Sequence, residues 1–486
     1  MYLWKTDVVI IGGGSVGCAI ARELSRFQLK SVLVEKNEDV CALTGKANSA
    51  IIHTGFDAPV GSLEAKLVVA ARRMYDQLAQ ELDFPYQVVG ALLVAVTKEQ
   101  WQLLPELQRK ALRNGVFDVH LLGRERVLAI EPELSDQVYG GLAIPRESIV
   151  SPYEMAIAMA ENAIANGVKF FLGTRVTGIE TTGGTVQAVS TTRGKIKTSW
   201  VINAAGMYCD EVAQMVGECD FTITPRRGEF FIMDKEAPYK LRHIILPVPT
   251  RISKGILISP TVSGNLLVGP TAEDIEDKSD TRVTVAGLAQ VMTGAQKLLP
   301  ALSSAHTITQ YAGLRPVRHP EGYTVEASRQ NRGYIGISGV RSTGVTSAPA
   351  VAAYVRDLAE EVGLKLIPRS NFNPLRRQLK PFASMTYQER AAAIKVDPHW
   401  GHVVCRCEHV TEAEVLRAIH SPLGARSLDA IKRRTRAGMG RCQGGFCGVR
   451  IPFILARELG IPVEAVTKKG PGSEILVGPI RGEMMR

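Results

Sequence analysis

Cysteine chemistry is concentrated near one end of this chain. Cys405 and Cys407 form a C-x-C pair in "HVVCRCEHVT". After 34 intervening residues, Cys442 and Cys447 form a C-x4-C pair in "RAGMGRCQGGFCG". The other four cysteines, Cys18, Cys41, Cys209 and Cys219, are scattered singly. In a reducing compartment a cluster of four thiols points to a metal or an iron–sulfur centre before disulfides. Zinc takes four thiolates in a tetrahedron, but its structural pairs are usually separated by about two to four residues, and C-x-C fits that poorly. A [2Fe–2S] cluster also takes four cysteine thiolates. The glycines around Cys442 and Cys447 expose backbone N–H groups to the sulfurs, and the flanking arginines offset the charge of the cluster. The reading is a [2Fe–2S] cluster, against zinc and against an empty or redox-active site. Cys442 and Cys447 are expected on one side of it, Cys405 and Cys407 on the other.

The opposite end carries a second chemistry. "DVVIIGGGSVGCAIARELSRFQLKSVLVEK" is an apolar run, a glycine turn, a helical pattern and a second apolar run. Gly12, Gly14 and Gly17 give the G-x-G-x-x-G spacing. The first allows a tight turn, the second lets a pyrophosphate approach the backbone, and the third lets helix and strand meet. Phosphates would sit at the N-terminus of the helix that begins near Ser15. Glu35, 18 positions after Gly17, is placed for a ribose hydroxyl. The motif predicts a dinucleotide without separating NAD from FAD. No second strand-linked copy follows it, which suggests either an NAD enzyme or a flavoenzyme reduced directly by its substrate.

Other elements must complete such a site. "WVINAAG" reads as a buried strand ending in small residues at Ala204, Ala205 and Gly206, where backbone can approach a ligand. "GVRSTGVTSAPA" is another glycine turn leading into a helix. The stretches 86–145 and 220–314 alternate apolar and polar residues with turn signals, predicting an antiparallel sheet. "PRSNFNPLRRQLKPF" reads as a linker. Beyond it, Thr411 with Glu414 predicts a helix N-terminus, and "SLDAIKRRTRAGMG" predicts a helix that stops at glycine.

Several of these stretches together resemble the D-amino-acid-oxidase superfamily over about residues 5–360. They are "GKANSAIIHTGFDAPVGSLEAKL", "GGLAIPRESIVSPYEMAIAMAENAIANGV", "VINAAGMYCDEVAQMVG", "PTVSGNLLVGPTAEDI", "YAGLRPV" and "ISGVRSTGVTSAPAVAAYV". Within that superfamily the chain is most similar to bacterial anaerobic-type glycerol-3-phosphate dehydrogenases, with L-2-hydroxyglutarate oxidoreductases as near relatives. "CRCEHVT" and "TRAGMGRCQGGFC" resemble the bacterioferritin-associated-ferredoxin-like [2Fe–2S] domain.

The resemblance implies an α/β fold: a Rossmann-like FAD-binding domain, an inserted α+β substrate domain with an antiparallel sheet, and a small, mainly helical iron–sulfur domain. The FAD-binding part is expected at about 1–85, 146–219 and 315–368, and the substrate domain at about 86–145 and 220–314. A linker is expected at 369–395 and the [2Fe–2S] domain at 396–486. FAD would be held by Gly12, Gly14, Ser15, Gly17 and Glu35, and by Lys46, Asn48 and Ser49. Val176 would contact the adenine. Ala205, Gly206, Gly313, Gly339, Gly344, Val345 and Thr346 would complete the FAD site.

For the chemistry, His53 in "IIHTG" is the expected base, since imidazole takes a proton near neutral pH; the bland alternative is a structural histidine beside the cofactor. Arg315 in "AGLRP" is the expected anchor, because a guanidinium fork matches carboxylate or phosphate. Arg341 is a second candidate, and Arg251 and Lys254 could add positive charge. Cys18 and Ala50 depart from commoner family residues.

At 486 residues the chain is long enough for two or three domains. Its 45% hydrophobic and 22% charged content is that of an ordinary globular enzyme. The net charge of +10 suits an anionic substrate, an acidic partner or a membrane surface. No basic run with interleaved aromatics suggests nucleic acid. No apolar run reaches the ~18 residues of a membrane span. The first apolar run passes straight into glycines rather than into a leader cleavage site. The expectation is a cytoplasmic FAD-dependent dehydrogenase, with peripheral contact at the inner face of the membrane and homo- or hetero-oligomers left open. It would oxidise a small anionic hydroxy substrate, foremost sn-glycerol 3-phosphate, and pass electrons through the cluster to a protein or quinone acceptor. The alternatives are L-2-hydroxyglutarate or another 2-hydroxy acid, an amino acid, or an electron-transfer subunit fed by a partner.

Overall fold

A computed structural model describes residues 2–249 and 255–478, so Arg251 and Lys254 lie outside the described residues. The chain divides into two compact units. One comprises residues 1–36 and 40–376, the other residues 37–39 and 377–486.

The larger unit is built on a six-stranded sheet. Its order is Lys169–Phe171, Ser31–Val34, Val8–Ile11, Trp200–Asn203, Tyr334–Ser338 and Thr324–Ala327. All neighbours are parallel except the last pair. "VVII" and "SVLV" are buried at every position, as strands covered on both faces must be. The helices Ser15–Leu24, Pro152–Ala165 and Gly344–Glu361 pack together in this unit. A four-stranded sheet of Tyr2–Lys5, Gly194–Lys197, Thr185–Thr191 and Val176–Thr182 contributes Val176, Ile179, Val189 and Ile196 to a core shared with Val9 and Val32.

The segments expected to form an antiparallel sheet do form one, and it has nine strands. The two longest, Thr222–Met233 and Thr307–His319, pair antiparallel along nearly their whole length. One pair departs from the expectation. Ile244–Pro247 runs parallel to Ala91–Ala95, a pairing that no tight hairpin can make and that joins the two separate stretches of the sheet.

A three-stranded antiparallel sheet matters most for the site. Ile51–Ile52 pairs with Ser148–Val150, which pairs with Tyr86–Val88. Ile52 lies opposite Ser148. Continued by one residue, that register brings His53 opposite Glu147.

In the smaller unit, coil runs to Pro381 and the helix Tyr387–Val396 follows it, inside the stretch expected to be linker. Thr386 and Glu389 cap that helix reciprocally. A short hairpin, Val403–Cys405 with Val410–Thr411, leads into the helices Glu412–His420, Leu428–Thr435 and Ile451–Leu459. Glu414 accepts from the Thr411 N–H at 2.8 Å, as the sequence suggests. The helix Leu428–Thr435 ends at Arg436 in a left-handed conformation (φ 67°), two residues before the glycine expected to stop it. Val404, Val415, Ile431 and Leu455 form this unit's core together with Cys405 and Cys447.

Candidate functional site

The glycine turn is required by its surroundings. Gly12 has φ +106°, and a Cβ there would lie 2.6 Å from the Ala204 carbonyl oxygen. A Cβ on Gly17 would lie 1.9 Å from the Gly12 oxygen. Only Gly14 looks onto open space. The turn is fastened by Glu35, whose carboxylate accepts from the Gly13 N–H at 2.7 Å. Glu35 therefore has a structural duty besides the ribose contact expected of it.

This open space is part of a cleft of about 1020 Å³. Gly14, Ser15, Asn48, Ser49, Gly206, Gly313, Gly339, Gly344 and Val345 line it, as do Arg315 and Arg341. The cleft thus collects residues spread over 330 positions of sequence. Two helix N-termini open onto it, at Ser15 and at Gly344, where unsatisfied N–H groups and the helix dipole favour negative charge. Ser15 is 6% exposed, and its hydroxyl is buried without a hydrogen-bond partner. Burying a hydroxyl without a partner is costly, so the site suits a ligand that offers an acceptor atom, such as a pyrophosphate oxygen.

Gly12, Gly17, Glu35, Lys46, Val176, Ala205 and Thr346 are not on the cleft wall. Val176 is buried at the start of its strand. The Ala205 N–H donates to the Asn203 side chain. Thr346 is fully buried: its hydroxyl accepts from the His53 N–H at 3.0 Å and donates to the Ile51 carbonyl. It acts as a clamp between the histidine segment and the helix N-terminus.

His53 is not on the cleft wall either. It is held from both sides, at its backbone by Thr346 and at its ring by Glu147, whose Oε2 lies 3.0 Å from Nδ1. Glu147 is 0% exposed, and its other oxygen accepts from the Thr54 N–H (2.6 Å) and hydroxyl (2.9 Å). A carboxylate acceptor at Nδ1 requires the proton there and makes Nε2 the basic nitrogen. Glu147 was absent from the sequence reading, since a lone glutamate in "PRESIV" gives no local signal. Only the pairing of Ile51–Ile52 with Ser148–Val150 reveals it.

Arg315 lies on the strand Thr307–His319, opposite Arg226. Arg226 is already paired in a fork with Asp274, at 2.5 and 2.8 Å. Arg315 donates to the Thr271 carbonyl, and among the described residues no carboxylate pairs with it. Burial, and then the neighbouring Arg226 charge, push it down to about 10. A part-buried cation in that state is stabilised by an incoming anion. Gly228 makes room for it: a Cβ there would lie 2.8 Å from an Arg315 nitrogen.

Arg341 also lines the cleft, but Glu321 engages its guanidinium and Glu64 lies 3.7 Å away. Opposite these groups, Phe230 stacks on Tyr311 with centroids 4.8 Å apart, and the Tyr311 hydroxyl donates to the Asn48 carbonyl at 2.8 Å. That hydrogen bond ties the nine-stranded sheet to the Lys46–Ser49 loop. The sequence reading did not find that pair.

The four cysteines of the smaller unit converge, and they do so in a pattern that crosses the motifs. Cys407 Sγ and Cys442 Sγ are 3.5 Å apart, while Cys405 and Cys447 hydrogen-bond to each other. The two sulfur pairs therefore each take one thiol from C-x-C and one from C-x4-C, rather than dividing motif by motif. Among the described residues no group of three or more ligand side chains is arranged around a single metal ion. Two pairs suit two irons better than one zinc, which needs all four sulfurs about one point.

Backbone donors reach these sulfurs. Cys442 is lowered first by the Phe446 N–H, against burial, with help from Gly444. Cys405 is held at about 6, first by the bond from Cys447 and then by the N–H groups of Gly438 and Glu408, against burial. Cys407 and Cys442 are exposed, Cys405 and Cys447 buried.

Comparison with known proteins agrees with both sites. The family model "FAD dependent oxidoreductase" (DAO) matches residues 7–358, and "BFD-like [2Fe-2S] binding domain" matches residues 403–457. A glycerol 3-phosphate dehydrogenase of Caloramator mitchellensis is 41% identical over 478 residues, 98% of this chain and 99% of that one. A glycerol 3-phosphate oxidase of Mycoplasma pneumoniae is 32% identical over 375 residues, 76% of this chain and 97% of the other. The solved structure of the L-alpha-glycerophosphate oxidase of Mycoplasma pneumoniae with FAD bound superimposes with a TM-score of 0.74 at 30% identity. It covers 78% of this chain and all of that one. The orphaned Ser15 hydroxyl and the two helix ends on one cleft are compatible with a bound dinucleotide, and the chain belongs to the DAO family of FAD dependent oxidoreductases, with a BFD-like [2Fe-2S] binding domain in its smaller unit.

Proposed function

We propose that this protein is an FAD-dependent dehydrogenase that oxidises sn-glycerol 3-phosphate to dihydroxyacetone phosphate. The observation that carries the substrate class is Arg315, a part-buried guanidinium on the cleft wall with which no carboxylate among the described residues pairs. The relative that spans nearly the whole chain bears the same activity in its name. Oxidation of the secondary alcohol removes a hydride from C2 and a proton from its hydroxyl. FAD, when bound, is the hydride acceptor.

The chain's own residues do the rest. Arg315 binds the phosphate and fixes the glycerol backbone, an orienting role that lowers the entropic part of the barrier. His53 takes the hydroxyl proton at Nε2, and Glu147 holds Nδ1–H and stabilises the imidazolium that results. Gly14, Ser15 and the helix ends at Ser15 and Gly344 hold FAD, with Asn48, Ser49, Gly206, Gly313 and Val345 around it. Arg341 lies on the cleft wall as a second candidate anchor, but Glu321 engages its charge and Glu64 lies near, so Arg315 carries the anion. Cys405, Cys407, Cys442 and Cys447 would hold the [2Fe–2S] cluster, which would supply one-electron transfer toward an acceptor other than oxygen. The protein works in the cytoplasm, in keeping with reduced thiols; no described helix is long and apolar enough to cross a membrane.

The test is a steady-state panel of sn-glycerol 3-phosphate, glycerol, L-2-hydroxyglutarate and L-amino acids with an artificial acceptor. The reading predicts that kcat/KM is highest for sn-glycerol 3-phosphate and falls at least 100-fold for glycerol. Higher kcat/KM for L-2-hydroxyglutarate or an amino acid would replace it.

A further inference from the structure

The exposed side of the cysteine site has an uncommon composition. Arg406, between the two cysteines of C-x-C, lies over the Phe446 ring at 4.3 Å, and Arg450 lies over the same ring at 5.1 Å. Phe446 immediately precedes Cys447. Among the described residues neither arginine forms an ion pair; Arg450 makes one long hydrogen bond, 3.3 Å, to the Val403 carbonyl. Beside them Val449 and Phe453 are 67% and 61% exposed. Cys407, next to Arg406 in sequence, and Cys442, reached by the Phe446 N–H, both have exposed thiols. Charge elsewhere in this unit adds to the effect: residues 37–39 and 377–486 hold eighteen Lys and Arg against twelve Asp and Glu, which is +6 of the chain's +10.

The Phe446 ring attracts both guanidiniums, but among the described residues no counter-ion meets either of them. Exposed Val and Phe forgo burial. Arginine and aromatic side chains with adjoining apolar surface are the composition of interface centres. Unpaired positive charge on such a patch selects a partner of the opposite sign and speeds its encounter.

From this we infer that the Arg406–Phe446–Arg450 patch is the docking surface for a small acidic redox protein, which takes electrons where the cysteine site meets solvent. Phe453 and Val449 form the apolar part of the contact, and Arg406 and Arg450 engage carboxylates of the partner. The inference rests on the iron–sulfur reading of the four cysteines but not on the identity of the substrate.

The experiment measures binding rather than turnover. The full-length holoprotein is titrated with an acidic ferredoxin and an acidic flavodoxin. A basic cytochrome c and vesicles of phosphatidylcholine with phosphatidylglycerol serve as comparisons. Binding is read by calorimetry at low salt and again after salt is raised past the point where surface charges are screened. The variants are R406E, R450E and F453S, each checked for flavin absorbance, iron and acid-labile sulfide so that loss of the cluster is not mistaken for loss of docking. R450E and F453S lie outside the cysteine motifs and keep the test available if R406E loses its cluster.

The expected result is salt-sensitive binding of at least one acidic protein, weakened at least tenfold by R450E and several-fold by F453S, with no binding of cytochrome c. Equal binding by wild-type protein and R450E overturns the proposal, as does absence of binding to both acidic proteins. Binding to the anionic vesicles alone, lost in R450E, also overturns it and makes the patch a membrane contact. Because no substrate enters the assay, these outcomes are independent of whether sn-glycerol 3-phosphate proves correct.

Discussion

His53 Nδ1 and Glu147 Oε2 lie 3.0 Å apart, on chain segments 94 positions apart in sequence. The antiparallel register of Ile51–Ile52 with Ser148–Val150 makes the two residues neighbours, and the Thr54 N–H and hydroxyl hold the other carboxylate oxygen. In E147Q the amide can still accept from Thr54, but it then turns its NH2 toward His53 and forces the ring into the opposite tautomer. The expected result is a fall in kcat of about 10²–10⁴-fold, the range of a lost general base, with KM within about threefold of wild type. H53A should show the same loss with FAD retained. Stopped-flow flavin reduction checks both, and wild-type kcat in E147Q would reduce Glu147 to a packing role.

Substitution at Arg315 should act on substrate binding. R315K keeps the charge but loses the fork, so KM for an anionic substrate should rise about 10–100-fold, as expected for losing a charge-assisted hydrogen bond. The pH dependence has a definite sign. Since Arg315 is pushed down to about 10, its charge, and with it anion affinity, is present below pH 10 and lost as pH rises through it. Titration of dihydroxyacetone phosphate binding against pH in wild type and R315K measures this, and a KM unchanged in R315K would remove Arg315 from the site.

Two neighbouring glycines should fail in different ways. G14A places its methyl in open cleft space, so the protein should fold with a near-normal Tm and bind FAD at least tenfold more weakly. G17A drives its methyl to 1.9 Å from the Gly12 oxygen and should lower Tm by many degrees. Flavin content and thermal unfolding on the same preparations separate the two. Equal FAD content in G14A and wild type would contradict the placement of the pyrophosphate.

The cysteines give a labelling prediction. Cys18, Cys41 and Cys209 are buried, and burial followed by Asp210 pushes the Cys209 thiol up to about 12. With the cluster in place, Cys219 is the one exposed thiol outside the ligand set. Alkylation of native holoprotein near pH 8 should therefore modify Cys219 alone, and removal of the cluster should add Cys407 and Cys442. C407S or C442S should lose iron and sulfide while keeping flavin. Mass spectrometry and metal analysis check these results.

Local pattern made part of this legible in the sequence. The strand–glycine–helix unit at 8–24 and the capping pair Thr411–Glu414 are set by residues a few positions apart. Arg315 and the four cysteines stood out by motif. What stayed hidden depends on long-range pairing. Glu147 acquires its role only when two short strands meet, and Phe230 meets Tyr311 only across the nine-stranded sheet. Glu35 is put to the glycine turn, where it accepts from the Gly13 N–H, a duty that spacing does not show. The crossed sulfur pairs were hidden for the same reason, since spacing within each motif says nothing of which sulfurs approach. At Arg436 the local rule was overridden: a non-glycine residue takes the left-handed position and ends its helix, while its side chain pairs with Glu408 at 2.8 Å.

The most direct measurement of the central claim is anaerobic mixing of the holoprotein with sn-glycerol 3-phosphate, followed at the flavin and cluster absorbance bands together. Rapid bleaching of the flavin band, with partial loss of the cluster band and one equivalent of dihydroxyacetone phosphate, is the predicted result. A flavin that stays oxidised with sn-glycerol 3-phosphate but bleaches with another alcohol or an amino acid, or only with a reduced partner protein, would contradict it.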